Sequence, residues 1–202
     1  MRIGVFGGSF DPPHLGHLIL ASEAQSQLDL DRVLWAITGQ SPFKIDQQVT
    51  DNDVRVSLVT AAIEGNESFK ISRVDLDRPA PHFTFETIKI LREQHLGVQL
   101  HFLMGADSLH DFPDWREPGV ILDHCRLAVL RRPGVDVNMT TLEETIPGIS
   151  AKVDWVTTPQ LEISSRDLRR RLRAGNGIRY FVSESVQALI ESYALYRPQG
   201  VD

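Results

Sequence analysis

Residues 7–17 read GGSFDPPHLGH and end on two histidines three positions apart, His14 and His17. At that spacing on the first turn of a helix, two imidazoles project from the same side, and each offers an N–H to an anionic oxygen. The residues before them prepare such a turn. Gly7 and Gly8 let the backbone reverse and approach a ligand closely, and Ser9 and Phe10 follow. Pro12 and Pro13 stiffen the chain and postpone the helix until about His14. The first amides of that helix lack internal acceptors and sit at the positive end of the helix dipole, which attracts phosphate. The stretch therefore fits an anion pocket with two imidazole donors. On the residues alone, two other readings stay open. One is a Gly/Pro turn with incidental surface histidines. The other is a metal site from Asp11, His14 and His17, for which no fourth ligand is evident. The loop carries neither GxxxxGK[ST] nor GxGxxG.

A second cationic helix start lies near the other end of the chain, in ISSRDLRRRLRAG at 163–175. Ser164 or Ser165 can cap it, and Asp167 stands three residues after Ser164, as in a capping box with a shorter acid. At about 100° per residue, Arg166, Arg169, Arg170 and Arg173 share one face, while Leu168 and Leu172 lie on the other. The leucines can anchor the helix while Arg166 and Arg169, in its first turn, face phosphate. Arg170, Arg171 and Arg173 read as a solvated face.

These two starts need a frame that holds them. RIGVFG at the N-terminus, 32–38, FKISRVDL, 98–105, 125–132 and 153–158 have strand patterns. Between them, 17–28, 53–65 and 84–94 read as helices, the last with Thr84 as its N-cap, and two further helices close the chain. Residues 39–51 read as loop and 133–150 as a surface excursion of weak periodicity. Alternating strands and helices predict an α/β fold: a Rossmann-like doubly wound parallel sheet with helices on both faces and a small C-terminal helical portion, in a single domain, 1–202. Ligands of such sheets bind beyond the carboxyl ends of the strands, where Gly7-Gly8, Gly39 and Gly105 mark three strand ends.

Composition narrows the function. The 202 residues carry a formal net charge of −6, which argues against broad nucleic-acid binding, and the arginine helix has no interleaved aromatics. The single cysteine, Cys125, sits in an apolar run and reads as a buried thiol. No apolar run approaches a membrane span, and the start MRIGVFGG lacks a signal-peptide core. A cytoplasmic location is the expectation.

GGSFDPPHLGH resembles the G-[ST]-F-D-P-x-H-x-G-H signature of the nucleotidyltransferases related to class I aminoacyl-tRNA synthetases, and ISSRDLR is similar to their I-S-S-T-x-I-R element. Arg166 stands where threonine is usual. SPFK at 41–44 resembles the P-P-H-K loop of bacterial nicotinate-mononucleotide adenylyltransferases, with Phe43 in place of the histidine. RPAPHFTFETI at 78–88 resembles their R-x-x-x-S-Y-T-x-[DE]-T-[IL] segment, with His82 and Phe83 in place of serine and tyrosine. GADSLHDFPDW at 105–115 matches G-x-D-[SA]-…-F-x-x-W, and LYRP at 195–198 the usual ending.

The resemblance implies an enzyme that transfers the adenylyl group of ATP to nicotinate mononucleotide, giving nicotinate adenine dinucleotide and pyrophosphate, with Mg²⁺ accompanying ATP. It implies that His14, His17, Lys44 and Arg169 are catalytic. ATP would lie against Gly7, Gly8, Ser9, Phe10, His14, His17, Gly105, Asp107, Ile163, Ser164, Ser165, Arg166 and Arg169. Lys44, Thr84 and Trp115 would hold the mononucleotide, with Trp115 stacked on its ring. Alternative acceptors are nicotinamide mononucleotide and phosphopantetheine. A different class, an ATP-binding sensor without turnover, is the remaining alternative. Association into a homo-oligomer is left open.

Overall fold

The computed structural model describes residues 1–40, 49–131, 134, 136–159 and 161–197. Its strands are β1 (Arg2–Gly8), β2 (Arg32–Ile37), β3 (Phe69–Ser72), β4 (Gln99–Gly105), β5 (Arg126–Leu130) and β6 (Val153–Val156). They form one sheet in the order β3-β2-β1-β4-β5-β6, with every pairing parallel. Strands of a parallel sheet are covered on both faces, which is why β1 and β2 read as nearly unbroken apolar runs. The order reverses direction between β1 and β4, so a crevice opens beyond the carboxyl ends of those two strands.

The helices are α1 (Leu15–Gln27), α2 (Asn52–Ile63), α3 (Thr84–Gln94), α4 (Ala106–His110), α5 (Pro118–His124), α6 (Met139–Thr145), α7 (Ser165–Arg173) and α8 (Glu184–Ser192). One face of the sheet packs Val5, Phe102 and Leu127 against Ile88 of α3, Ile121 of α5 and Leu142 of α6. The other packs Phe6, Trp35 and Leu103 against Ala21 and Ala24 of α1 and Val59 of α2. The two alanines, one turn apart, let α1 approach the sheet closely. A third, smaller cluster joins Leu58 of α2 to Leu168 of α7 and to Val186 and Ile190 of α8. This is the C-terminal helical portion, and Leu168 is the anchor expected of it. Among the described residues no helix is long and apolar enough to cross a membrane.

The structure corrects several expected boundaries. Thr84 is not the cap of α3: the N-cap is Phe83, extended at φ −89° and ψ 140°, and Thr84 is the first helical residue. FKISRVDL is strand only as far as Ser72, because the Asp77 amide returns to the Arg73 carbonyl and closes a turn. The run 133–150 contains α6, capped by Asn138, whose side chain accepts from the Thr140 and Thr141 amides. At two turns, α6 is too short to show a period.

Cys125 follows α5 directly, and its Sγ donates to the Ile121 carbonyl at 3.3 Å. Burial pushes the thiol up to about 12. A thiol kept neutral and covered is unreactive. The expected result is no labelling by a water-soluble disulfide reagent at pH 8 in the native protein, and one thiol per chain in denaturant. Because the folded thiol ionises at higher pH than the free one, its contribution to stability is complete below about pH 9 and is lost as pH rises toward 12. Rapid native labelling would contradict this packing.

Candidate active site

The loop between β1 and α1 is set by Phe10, which takes a left-handed φ of +47°. That conformation is unfavourable for an aromatic residue; here it turns the ring into the core, where it packs edge-on to Phe6 and against Trp35. His17 stands on this aromatic floor, its ring centroid 5.2 Å from that of Phe10. His14 is the N-cap of α1, and its ring stacks on that of His17 at 3.6 Å. The His14 amide donates to His17 Nδ1 at 3.2 Å. With Nδ1 accepting, a neutral His17 ring carries its proton on Nε2, which makes that atom a donor. Gly16 explains the glycine between the histidines: a Cβ there would meet the His14 ring at 3.0 Å.

At α1 two of the first amides are already used: the Leu15 amide donates to the Phe181 carbonyl and the His17 amide to the His14 carbonyl. At α7 the expectation holds better. Ser164 is the N-cap and accepts from the Asp167 amide at 3.1 Å. The reciprocal contact differs from a capping box, because the Asp167 carboxylate accepts from the Ser164 hydroxyl at 2.9 Å. Among the described residues the amides of Ser165 and Arg166 have no acceptor.

The two starts, some 150 residues apart in sequence, are stapled together. Ser165 Oγ donates to the Pro12 carbonyl at 2.8 Å, and Arg169 Nη1 donates to the Asp11 carbonyl at 2.6 Å. Between them opens a cavity of about 770 Å³. Gly8, Ser9, Phe10, His14 and His17 line one side, and Ile163, Ser164, Ser165, Arg166 and Arg169 the other, with Asp107 of α4 also on the wall. Arg170, expected in solvent, reaches its edge, paired to Asp167 at 2.8 Å. Its cations outnumber its two carboxylates, giving a basic pocket in an acidic chain. Gly105 caps α4 and is not on this wall.

A second cavity, about 430 Å³, lies beside the first. Thr84, Trp115 and Arg116 line it, with Gly7 at its floor, so Gly7 faces this cavity rather than the first. Gly8 and Ser9 line both. Trp115 is half-buried and held by Phe112 and Phe102, with ring centroids at 5.5 and 5.9 Å. Beneath the cavity Arg78 bonds Asp75 at 3.0 Å, Glu86 at 2.6 Å and Thr87 Oγ1 at 3.1 Å, which fixes the approach to α3. His82 is a buried pin. Its Nδ1 accepts from the Gln40 amide at 2.9 Å, and Nε2 pairs with the Arg78 carbonyl at 3.1 Å. Phe83 carries the Arg116 guanidinium 4.6 Å above its ring. Lys44 and Phe43 lie outside the described residues.

One feature, Arg55, went unforeseen. Arg55, on α2, is fully buried and donates to the carbonyls of Ser9, Thr38, Gly39 and Thr50 and to the Asn52 side chain, at 2.5–3.3 Å. It ties the outlets of β1 and β2 together. Burial lowers the tendency of its guanidinium to hold a proton, and the nearby Asp11 charge opposes that. A charged residue in line with Leu58, Val59 and Ala62, on the core-facing stripe of α2, was the available signal. Asp11, considered as a metal ligand, is committed otherwise: its carboxylate accepts from the Tyr196 hydroxyl and the Thr50 amide.

Residues 5–171 match the cytidylyltransferase-like family. A protein of Thermomicrobium roseum named probable nicotinate-nucleotide adenylyltransferase is 41% identical over 97% of this chain and 92% of its own length. One of the same name from Thermus thermophilus is 38% identical over 98% of this chain and all of its own. In fold, the chain resembles the Plasmodium falciparum nicotinic acid mononucleotide adenylyltransferase complexed with NaAD, with a TM-score of 0.78 at 22% identity over 96% of this chain and 97% of that one. A sheet wound in this order, a histidine pair at its switch point and relatives alike over nearly their whole length converge: the chain belongs to the cytidylyltransferase-like family and, within it, to the nicotinate-nucleotide adenylyltransferases.

Proposed function

We propose that the chain joins ATP to nicotinate mononucleotide, with the triphosphate in the larger cavity and the mononucleotide in the smaller. The observation that carries this reading is the shared wall: Gly8 and Ser9 border both cavities, so the reacting groups meet at the end of β1. A phosphate oxygen of the mononucleotide attacks the α-phosphorus of ATP. The bond from that phosphorus to the bridging oxygen breaks, and pyrophosphate leaves. The nucleophile is already anionic near neutral pH, so no protein base is needed. Two polyanions must instead be brought together and the growing charge stabilised, by positioning and fixed donors.

His17 Nε2–H, the His14 ring, the α7 amides and the guanidinium groups of Arg166 and Arg169 supply those donors. Lys44 is assigned to the same charge. Thr84, at the start of α3, holds the ring carboxylate, and Trp115 stacks on the pyridine ring. Among the described residues no cluster of three His, Cys, Asp or Glu could cage a metal. The donor set therefore suits a Mg²⁺ ion that would arrive on the triphosphate, keep most of its waters and neutralise charge there. The cytoplasm is the location that goes with this reading.

Pyrophosphate release measured with ATP and, in parallel, nicotinate mononucleotide, its amide analogue or phosphopantetheine tests this function. The expected result is turnover with the acid and at least about tenfold lower kcat/KM with the amide, whose NH2 offers a donor where the site offers donors too. Preference for another acceptor, or ATP binding without release from any, would overturn it.

A further inference from the structure

We infer that Tyr196, near the C-terminus, is a positioning residue of the active site, acting through Asp11 on the loop that carries His14 and on the tether that aims Arg169. This rests on the function proposed above. The Tyr196 hydroxyl donates to Asp11 Oδ1 at 2.5 Å across 185 positions of sequence. The other carboxylate oxygen accepts from the Thr50 amide at 3.2 Å, and Thr50 Oγ1 donates to the Tyr196 oxygen at 3.3 Å. Asp11 is only 3% exposed, so these bonds replace water that the carboxylate would otherwise hold. The backbone of the same residue accepts from Arg169 Nη1 at 2.6 Å. Asp11 thus couples the C-terminal segment to α7 through a single residue, its carboxylate facing one and its carbonyl the other.

The segment is built to make this contact. After α8 the chain takes left-handed conformations at Ala194 (φ +53°) and Tyr196 (φ +56°). Both are unfavourable for residues other than glycine, and backbone held there persists only when its surroundings over-determine it. Leu195 and Tyr196 pack on the third core cluster, and the phenol meets Asp11 beyond it. Burial and the Asp11 charge both push the phenol far above its ordinary ionisation range, so it stays a hydrogen-bond donor. None of the three groups involved, the phenol, the carboxylate and the Thr50 amide, needs to touch substrate. Their joint effect is to fix where the Asp11 carbonyl points, and with it one nitrogen of the Arg169 guanidinium, leaving the other donors of that fork a defined direction.

The test is a kinetic cycle with the full chain, using pyrophosphate release from ATP and nicotinate mononucleotide. Y196F is expected to lower kcat about tenfold and change the KM for ATP less than about threefold, since small displacements act on the transition state more than on binding. Combined with R169K, its effect is expected to be non-additive, with the double variant within about twofold of the poorer single variant, because both changes act on one tether. D11N, of the same shape, is expected to show the same coupling to R169K and decides the matter if Y196F does not fold. Wild-type kinetics in Y196F, or losses that multiply in the cycle, would overturn the inference alone. A wild-type chain inert toward nicotinate mononucleotide would remove the proposed function and this inference with it.

Discussion

Replacing His17 with alanine is expected to lower kcat by about 100- to 1,000-fold while the KM for ATP moves by less than about threefold. His17 is held on three sides. Phe10 and Phe6 pack on its ring, the His14 ring stacks on it, and the His14 amide fixes its Nδ1. A ring held this way spends no reorganisation when charge develops beside it, so its Nε2–H favours the transition state over bound ATP. Ground-state affinity comes from the many other donors of the cavity and survives the loss of one. Steady-state pyrophosphate release over a range of ATP concentrations separates the two parameters. An unchanged kcat with a raised KM would show that His17 only binds.

The second large effect concerns stability. Arg55→Met is expected to destabilise the fold by about 3 kcal/mol or more, and to lower the melting temperature by about 10 °C, read by calorimetry. Replacing both members of a buried polar pair with apolar residues can be neutral, because nothing is left unpaired. Arg55 differs, since four of its five acceptors are backbone carbonyls that no substitution removes. Methionine fills much of the same volume and leaves the carbonyls of Ser9, Thr38, Gly39 and Thr50 short of a donor. Lysine, with a single ammonium, can serve some of them and is expected to fall between. Because Ser9 borders both cavities, activity in the methionine variant should also fall at temperatures where the fold persists. A variant as stable as the parent would mean that water or relaxation satisfies those carbonyls.

The sequence was most legible where local chemistry sets structure. The histidine pair, the Ser164 cap and the leucines of α7 each follow from spacing within a few residues, and the alternation of elements led to a doubly wound sheet. The opposite case is Thr84. A threonine before a helical run suggests a cap, but the chain enters α3 through an extended Phe83 whose ring carries Arg116, a tertiary contact that no local pattern reports. The division of the site into two cavities was likewise hidden, because their walls come from residues far apart in sequence. In the sequence, His82 and Phe83 stand out only as departures from the serine and tyrosine of the family pattern. In the structure His82 instead pins Gln40 to Arg78, a role that needs a ring with two nitrogens. The Asp11–Tyr196 contact joins residues too far apart for any window of sequence to connect.

The most direct measurement is a crystal structure of the chain with ATP and no acceptor. The expected density places one triphosphate between the beginnings of α1 and α7, with oxygens within hydrogen-bond distance of His17 Nε2 and of the Ser165 or Arg166 amide together. A triphosphate touching only one of the two helix starts, or seated in the smaller cavity beside Trp115, would contradict the assignment.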